Sequence, residues 1–327
     1  MEAYSQTKNR INNENTTNDL TTMKAIFLAA VLFFHFTLDA QNSQKFTSFE
    51  EALKSPEKVK WLDLDCDDLP KVNEHIPQLT QLESLYLTGC GLKRVPKGIG
   101  QTRQLALLNL QDNRLKSLPR EVAALKQLTV INLRNNNFKV LPKDLLSLPR
   151  LREIDLSGNK RLLLGKTLNE LEQVAQLDFL YLSDLDITWL PTQISRLKAL
   201  EELHLSNNPN LDLPKTFNSL WKAPNLKILV LSNNEITSVT GYLMMLNQLN
   251  GLVLDNNPGI AVEELAGYVG KMPNLKVLLL RNCEFTQLPK NLDGLKNLAV
   301  LELSGNNFSA SEQARIKALL PDTKVIF

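Results

Sequence analysis

The chain has 327 residues, of which 66 are leucine, 43% are hydrophobic and 6% are aromatic. Its 37 basic and 35 acidic residues give a formal net charge of +2, and no stretch is a run of one sign, which disfavours a nucleic-acid groove built on phosphate contacts. A single core stops growing near about 250 to 300 residues. Length and leucine excess together therefore favour an elongated array of repeats.

The first 40 residues differ in composition from the rest. Residues 1–22 are rich in Asn and Thr without an apolar period, and we expect a polar extension that is disordered or not translated, with Met23 as the true start. Residues 23–40 combine Lys24, an apolar run from Ala25 to Phe34 and a small residue at Ala40, which is typical of a cleaved signal peptide. A membrane span needs about 20 apolar residues. We therefore predict a secreted or periplasmic protein of the cell envelope, with no integral span in the mature chain.

From Val59 onward an apolar pattern, L-x-x-L-x-L-x-x-N-x-L-x-x-L-P, returns eleven times, at steps of 23 or 26 residues. From Leu151 the two lengths alternate, so that the units form pairs 49 residues long. The leading residues, each taken as position 1 of its unit, are Val59, Leu82, Leu105, Leu128, Leu151, Leu177, Leu200, Leu226, Leu249, Leu275 and Leu298.

This pattern resembles the leucine-rich repeat family, in particular its 23-residue bacterial and Ras-associated class with L-P-x-x-I/L-x-x-L in the back half. The resemblance implies an α/β solenoid, a horseshoe of eleven units with a parallel β-sheet on its concave face and short helical or irregular convex segments. It also implies that the chain binds proteins rather than catalysing a reaction.

The residues themselves support this interpretation. Apolar positions 4 and 6 alternate with polar ones, as in a half-buried strand, and the Pro at position 15 ends that strand run because it fixes φ and lacks an N–H. An Asn at position 9 carries both donors and an acceptor for the turn backbone. The predicted Asn ladder consists of Asn113, Asn136, Asn159, Asn208, Asn234, Asn257 and Asn306.

Both ends of the array need caps, because a terminal repeat exposes its core. We predict an N-terminal cap over 41–58, with Ser48 and Glu51 forming a capping box, then repeats over 59–308. A C-terminal cap over 309–327 opens with Ser309 and Glu312 and ends in a short strand.

Side chains at positions 3, 5 and 7 are expected to point to the concave face. Its middle mixes aromatic residues with arginine and amides, as interface hot spots do, and its late part is aliphatic, which predicts an exposed apolar patch. A solvated face with no partner, or aliphatic residues that merely favour strands, are the alternatives. The candidate partner-binding residues are Tyr86, Asn109, Asn132, Arg134, Asp155, Phe179, Tyr181, His204, Val230, Val253 and Leu279.

Other chemistry is weakly indicated. Four aspartates cluster in W-L-D-L-D-C-D-D, but charges on a first strand also deter edge pairing, so we expect no metal. Cys90 and Cys283 stand at position 9, where we expect buried structural residues, and whether Cys66 pairs with Cys90 stays open. The chain shows no phosphate loop, metal-ligand spacing or nucleophile elbow, so we expect no cofactor and no enzyme.

The sequence therefore predicts an exported, monomeric repeat protein that binds a protein of unknown identity and no nucleic acid. One alternative is a cytoplasmic signalling scaffold. Another is an envelope-associated structural protein that holds an anionic polymer on a basic rim, where Lys97, Arg120 and Lys143 follow the repeat proline.

Overall fold

The computed structural model describes residues 44–327. The predicted polar extension over 1–22 and signal peptide over 23–40 lie outside the described residues.

Each of the eleven repeats forms one three-residue strand at positions 3 to 5, as the alternation of apolar and polar residues predicts. A two-residue strand before the first repeat and one strand after the last complete the sheet. The strands are β1 Lys45–Phe46, β2 Trp61–Asp63, β3 Ser84–Tyr86, β4 Leu107–Asn109, β5 Val130–Asn132, β6 Glu153–Asp155, β7 Phe179–Tyr181, β8 Glu202–His204, β9 Ile228–Val230, β10 Gly251–Val253, β11 Val277–Leu279, β12 Val300–Glu302 and β13 Lys324–Ile326.

All thirteen described strands pair in parallel and in chain order, and equivalent positions stand opposite each other, as in Tyr181 against His204. Positions 1, 4 and 6 of each repeat point to the core; in the fourth repeat Leu128, Ile131 and Leu133 are all fully buried. The core is thus a continuous row of stacked leucines. The predicted α/β solenoid with one parallel sheet is confirmed.

The opposite edge of the repeats is covered by short helices. The α-helices are α1 Phe49–Ala52, α2 Val72–His75, α3 Lys143–Leu146, α4 Leu164–Leu171, α5 Leu213–Leu220, α6 Val262–Val269 and α7 Ala310–Leu319. The 3-10 helices are Pro56–Lys58, Cys66–Lys71, Ile76–Gln78, Lys97–Gln101, Arg120–Ala124, Thr192–Arg196, Gly241–Met245 and Asp293–Leu295.

Repeat length decides which helix forms in the second half of the array. The 26-residue repeats carry the eight-residue helices α4, α5 and α6, whereas the 23-residue repeats between them carry the 3-10 helices from Thr192, Gly241 and Asp293. Three additional residues give room for the second α-helical turn. The alternation of lengths in the sequence is therefore an alternation of structure.

Position 8 has a left-handed backbone in repeats two to eleven, and it is filled by Gly, Asp or Asn, the residues that adopt positive φ most readily. The members are Gly89, Asp112, Asn135, Gly158, Asp184, Asn207, Asn233, Asn256, Asn282 and Gly305. This periodic signal was present in the sequence but did not enter the predicted pattern.

The helices of both predicted caps begin with the serine half of the capping box, whereas the Glu312 carboxylate accepts from Leu288 N and pairs with Arg315. The Ser48 hydroxyl accepts a hydrogen bond from Glu51 N at the start of α1, and the Ser309 hydroxyl accepts one from Glu312 N at the start of α7. Phe49 N, also in the first turn of α1, donates to Asp68 Oδ2 at 3.0 Å. One end strand, β13, pairs with β12, while β1 was not predicted.

Candidate functional site

The amides at position 9 lie inside the turn where the chain leaves the sheet. Asn136 Nδ2 donates to the carbonyls of Leu110 and Leu133, at 2.9 and 3.0 Å, and its Oδ1 accepts from Leu115 N at 2.9 Å. It thus joins its own repeat to the preceding one. The other six amides also join neighbouring repeats. In the sixth repeat Leu185 stands in place of Asn, and its backbone N donates to Asn208 Oδ1, as the N of Asn208 does to Asn234 Oδ1 in the next repeat.

The open face, as we call the side of the sheet formed by positions 3, 5 and 7, faces away from the core. Three predicted binding residues on it are almost entirely buried: Asn109, Asn132 and Asp155. Their side-chain oxygens accept hydrogen bonds from the backbone N two residues later, at 2.8 to 3.0 Å, a local pattern that is typical of Asn and Asp. These bonds brace the strand ends, and a role for the three residues in partner binding stays a prediction.

Tyr86 and Arg134 remain partly accessible. Tyr86 lies against Trp61 with ring centroids 6.0 Å apart, and burial raises the pKa of its phenol. Arg134 reaches across two repeats and binds Asp184 at 2.5 Å. Its charge is therefore already paired within the chain.

The residues of the predicted late apolar patch are only partly accessible. Val230, Val253 and Leu279 are half-buried, while the position-3 residues beside them, Ile228 and Val277, are buried. Strands pack only about 4.8 Å apart, so neighbouring side chains cover one another. The sequence pattern alone does not show that side chains on neighbouring strands bury one another.

The central cluster, as we call Glu153, Asp155, Tyr181, Glu202 and His204, occupies strands β6 to β8 of the open face. The rings of Tyr181 and His204 stack with centroids 4.3 Å apart and an interplanar angle of 28°. His204 Nε2 lies 2.5 Å from Glu202 Oε1, and Tyr181 hydrogen-bonds to Glu153. Phe179, half-buried, lies between Glu153 and Glu202 in the strand register.

The two glutamates are the residues that the sequence-based selection left out. Glu153 is 7% exposed and Glu202 is 2% exposed, although both stand on the face away from the core. The Glu202 Oε2 atom is buried and has no hydrogen-bond partner among the described residues. Such an atom is uncommon, because an unpaired buried polar group costs free energy.

Burial also changes the proton equilibria of the central cluster. It raises the pKa of Glu153 to about 7, and the carboxylates of Asp155, Glu202 and Asp178 add to that rise while Tyr181 opposes it. Burial likewise raises the pKa of Asp155, against the hydrogen bonds from Ser157. The Tyr181 pKa is raised by burial and by the adjacent carboxylates, so its hydroxyl stays protonated and able to donate.

A disulfide joins Cys66 to Cys90 in adjacent repeats, with a Cα–Cα distance of 5.3 Å, within the range that the bond requires. Cys90 is half-buried rather than buried, because its side chain turns toward the exposed Cys66. Cys283 is a free thiol and is buried as expected.

The aspartates around β2 make ion pairs and hydrogen bonds. Asp63 binds Lys45 at 2.7 Å, and Asp68 binds Lys71 at 2.7 Å. Among residues 44–327, no group of three or more His, Cys, Asp and Glu side chains has an arrangement that could hold a metal ion. None of the helices in this part of the chain has the length and apolar character that crossing a bilayer needs.

The fold defines a solenoid repeat protein with one parallel sheet and a helical outer edge. A model of the leucine rich repeat family matches residues 103–160, and the same repeat structure extends on both sides of the match. The described part of the chain is therefore built of leucine-rich repeats. Members of this family commonly bind other proteins and are typically non-enzymatic scaffolds.

Two similar solved structures come from bacteria. One is a leucine-rich repeat protein of Leptospira interrogans, with 26% identity over 87% of this chain and 100% of that chain, and a TM-score of 0.40. The other is an internalin of Listeria monocytogenes, with 20% identity over 77% of this chain and 82% of that chain, and a TM-score of 0.42. No curated protein matches the chain.

Proposed function

We propose that the chain is an exported protein that binds another protein through its open face, with the central cluster at the middle of the contact. The observation that carries this proposal is the Tyr181–His204 stack, in which two partly accessible rings hydrogen-bond to two buried carboxylates, Glu153 and Glu202. One oxygen of Glu202 has no partner among the described residues. Aromatic groups in desolvated polar surroundings are where binding energy concentrates in protein interfaces. Such an arrangement is costly for folding alone.

Export is supported by two features. Residues 23–40 have the composition of a signal peptide, and the Cys66–Cys90 bond is of the kind that persists in oxidising compartments. An antibody to the mature chain, used on fractionated cells, tests this part; recovery in the cytoplasmic fraction alone would favour the signalling scaffold.

The open face is tested by placing a photo-crosslinking residue, benzoylphenylalanine, in the native protein. Phe179 on the open face is one site, and Trp189, exposed outside the sheet, is the matched aromatic control. We expect a protein adduct from position 179 and none from 189. An adduct from 189 only would move the interface to the convex side.

With that partner in hand, Tyr181→Ala combined with His204→Ala should abolish its capture and leave the circular dichroism unchanged, because both side chains project from the sheet. Undiminished capture would show that the partner contacts another part of the open face, and Val230, Val253 and Leu279 would be tested next.

A second candidate function, binding an anionic envelope polymer, is favoured by one specific observation. Lys97, Arg120 and Lys143 are exposed in three consecutive repeats, each as the first residue of a short helix, where a cation is disfavoured by the helix dipole. Lys93, Lys116 and Lys139 form a second exposed row in the same repeats.

Co-sedimentation with envelope fractions across a salt series tests this candidate. Exposed charges are screened beyond about 8 Å at physiological salt, so binding should weaken as salt rises and should be lost in Lys97→Gln, Arg120→Gln, Lys143→Gln. Equal, salt-insensitive binding by both proteins excludes it.

A further inference from the structure

The open face is acidic although the chain as a whole is nearly neutral. Positions 3, 5 and 7 of the eleven repeats carry seven carboxylates and two guanidinium groups. The carboxylates are Asp63, Asp65, Glu153, Asp155, Glu202, Asp255 and Glu302, and the guanidinium groups are Arg134 and Arg281. Both arginines already bind aspartates, Arg134 with Asp184 and Arg281 with Asp255. A surface of one sign attracts and orients a partner of the other sign.

The excess is concentrated in the central cluster. Of the ion pairs among the described residues, none joins a Lys or Arg to Glu153, Asp155 or Glu202, whereas Asp63 at the sheet's edge has Lys45 at 2.7 Å. Three carboxylates thus share one small region with one histidine, and the guanidinium that acts on Asp155, Arg134, is already paired with Asp184. Carboxylates held close together in a poorly solvated site repel each other, and a cation relieves that repulsion.

One oxygen of the central cluster needs a donor that the chain does not supply. Glu202 Oε1 meets His204, but Oε2 is buried without a partner. An arginine or lysine side chain has several N–H donors and no acceptor. Its charge would also be favoured by the aromatic rings of Tyr181 and Phe179, which attract cations to their faces.

We propose that the central cluster receives an arginine or lysine side chain from a basic segment of the partner, an inference that rests on the proposed function. The cation lies among Glu153, Glu202 and the Tyr181–His204 stack. It supplies the donor that Glu202 Oε2 lacks, once the side chains that bury this oxygen move aside.

The test uses a fluorescent peptide of alternating arginine and alanine, with the same peptide containing citrulline in place of arginine as its neutral isostere. Wild-type protein should bind the arginine peptide at least about tenfold more tightly than the citrulline peptide, a difference of about 1.4 kcal/mol. Glu153→Gln combined with Glu202→Gln should remove most of that preference. Asp63→Asn, which neutralises an open-face carboxylate outside the cluster, should leave it within about twofold.

Equal affinity for the two peptides, or an unchanged preference in the double variant, overturns the inference. If the double variant does not fold, the wild-type protein still provides a test, since a bound cation favours the deprotonated form of every titratable group around it. The groups that act on Glu153 are Asp155 on β6, Asp178 just before β7, Tyr181 on β7 and Glu202 on β8. Its neighbour Asp155 is also acted on by His204 on β8 and by Arg134 after β5.

Binding of the arginine peptide near about pH 6.5 should therefore release protons, seen as a calorimetric heat that varies with the ionisation enthalpy of the buffer. A heat independent of the buffer contradicts the inference. Failure of this inference can be told apart from failure of the proposed function. If a partner crosslinks to position 179 and still binds the double glutamine variant, the bound cation is overturned and the interface stands. If the arginine peptide binds but position 179 gives no adduct, the proposed protein interface is overturned.

Discussion

Asn136 shows how a single side chain connects two repeats. Its amide serves carbonyls of the third and fourth repeats and one backbone N–H of the third, all inside the core. Replacing it removes every one of these bonds at once. The residue therefore matters more for cohesion between repeats than for its own turn.

Asn136→Leu should lower the free energy of unfolding by about 1 to 3 kcal/mol, because it leaves buried backbone groups without partners. Denaturant titration followed by circular dichroism measures this. Asn137→Leu, the same change at the exposed next residue, serves as control and should shift stability by no more than about 0.5 kcal/mol. Equal stability of Asn136→Leu and wild type would show that the turn reorganises.

Glu153 makes the free energy of unfolding depend on pH in the direction opposite to that of most acidic residues. Its pKa rises from 4.5 to about 7 on folding, so the folded chain binds more protons than the unfolded chain between these values. Wild-type stability should therefore fall as pH rises from about 4.5 to 7 and stay at the lower value above.

Glu153→Gln removes the cost of burying an ionised carboxylate, and its amide oxygen can still accept the hydrogen bond from Tyr181. We expect it to stabilise the protein by on the order of 2 to 3 kcal/mol at pH 8 and by little near pH 4. Unfolding titrations at both pH values measure the difference, and Glu172→Gln, at an exposed carboxylate, is the control. Stabilisation of the same size at both pH values would contradict a proton-linked origin.

At the scale of elements, two glycines set the contact between α6 and the next 3-10 helix. A Cβ on Gly294 would lie 2.1 Å from the carbonyl oxygen of Ala266, and one on Gly270 would lie 2.8 Å from the Gly294 Cα. Neither obstacle is a flexible side-chain end. Close approach of two backbones, rather than an unusual φ, explains both glycines.

Gly294→Ala should therefore destabilise the array by about 1 to 3 kcal/mol, as the helices move apart. Gly267→Ala, within α6, is the matched variant that should fit, because nothing lies within 4 Å of a Cβ at this position. Since alanine has the better helix propensity, this change should stabilise the chain by about 1 kcal/mol. Thermal unfolding of both variants measures this contrast. The same sign of change in both would refute the packing argument.

The elements also show what a sequence can and cannot predict here. The eleven strands follow from period alone, since a shift by one residue would turn leucines such as Leu108 outward. The β1 strand escaped prediction because two residues carry no period. Glu153 and Glu202 were visible at position 3, but their burial and their hydrogen bonds to Tyr181 and His204 depend on side-chain packing on the open face, which the repeat period does not encode.

At the scale of the whole molecule, stability passes from neighbour to neighbour along the sheet order. The Cys66–Cys90 bond joins the first two repeats, which lie next to the two-residue strand β1 at the end of the sheet. It closes a loop with a sequence separation of 24 residues. Its effect should therefore appear first at the N-terminal end of the array.

Cys66→Ser combined with Cys90→Ser should cost about 3 kcal/mol, from the greater conformational freedom of the unfolded chain. Hydrogen exchange should show that the first repeats lose protection before the later ones. A reductant should destabilise wild-type protein and leave the double variant unchanged. Uniform loss along the chain would indicate that the array unfolds as one unit.

The pairing of long and short repeats affects how the gene can gain or lose repeats. Leu151, Leu200, Leu249 and Leu298 stand 49 residues apart, so unequal recombination between the coding copies inserts or deletes a whole module without changing the strand register. Glu153 and Glu202 are themselves counterparts at this spacing. Loss or gain of one such module in the middle of the array would therefore remove or add one carboxylate of the acidic centre of the open face.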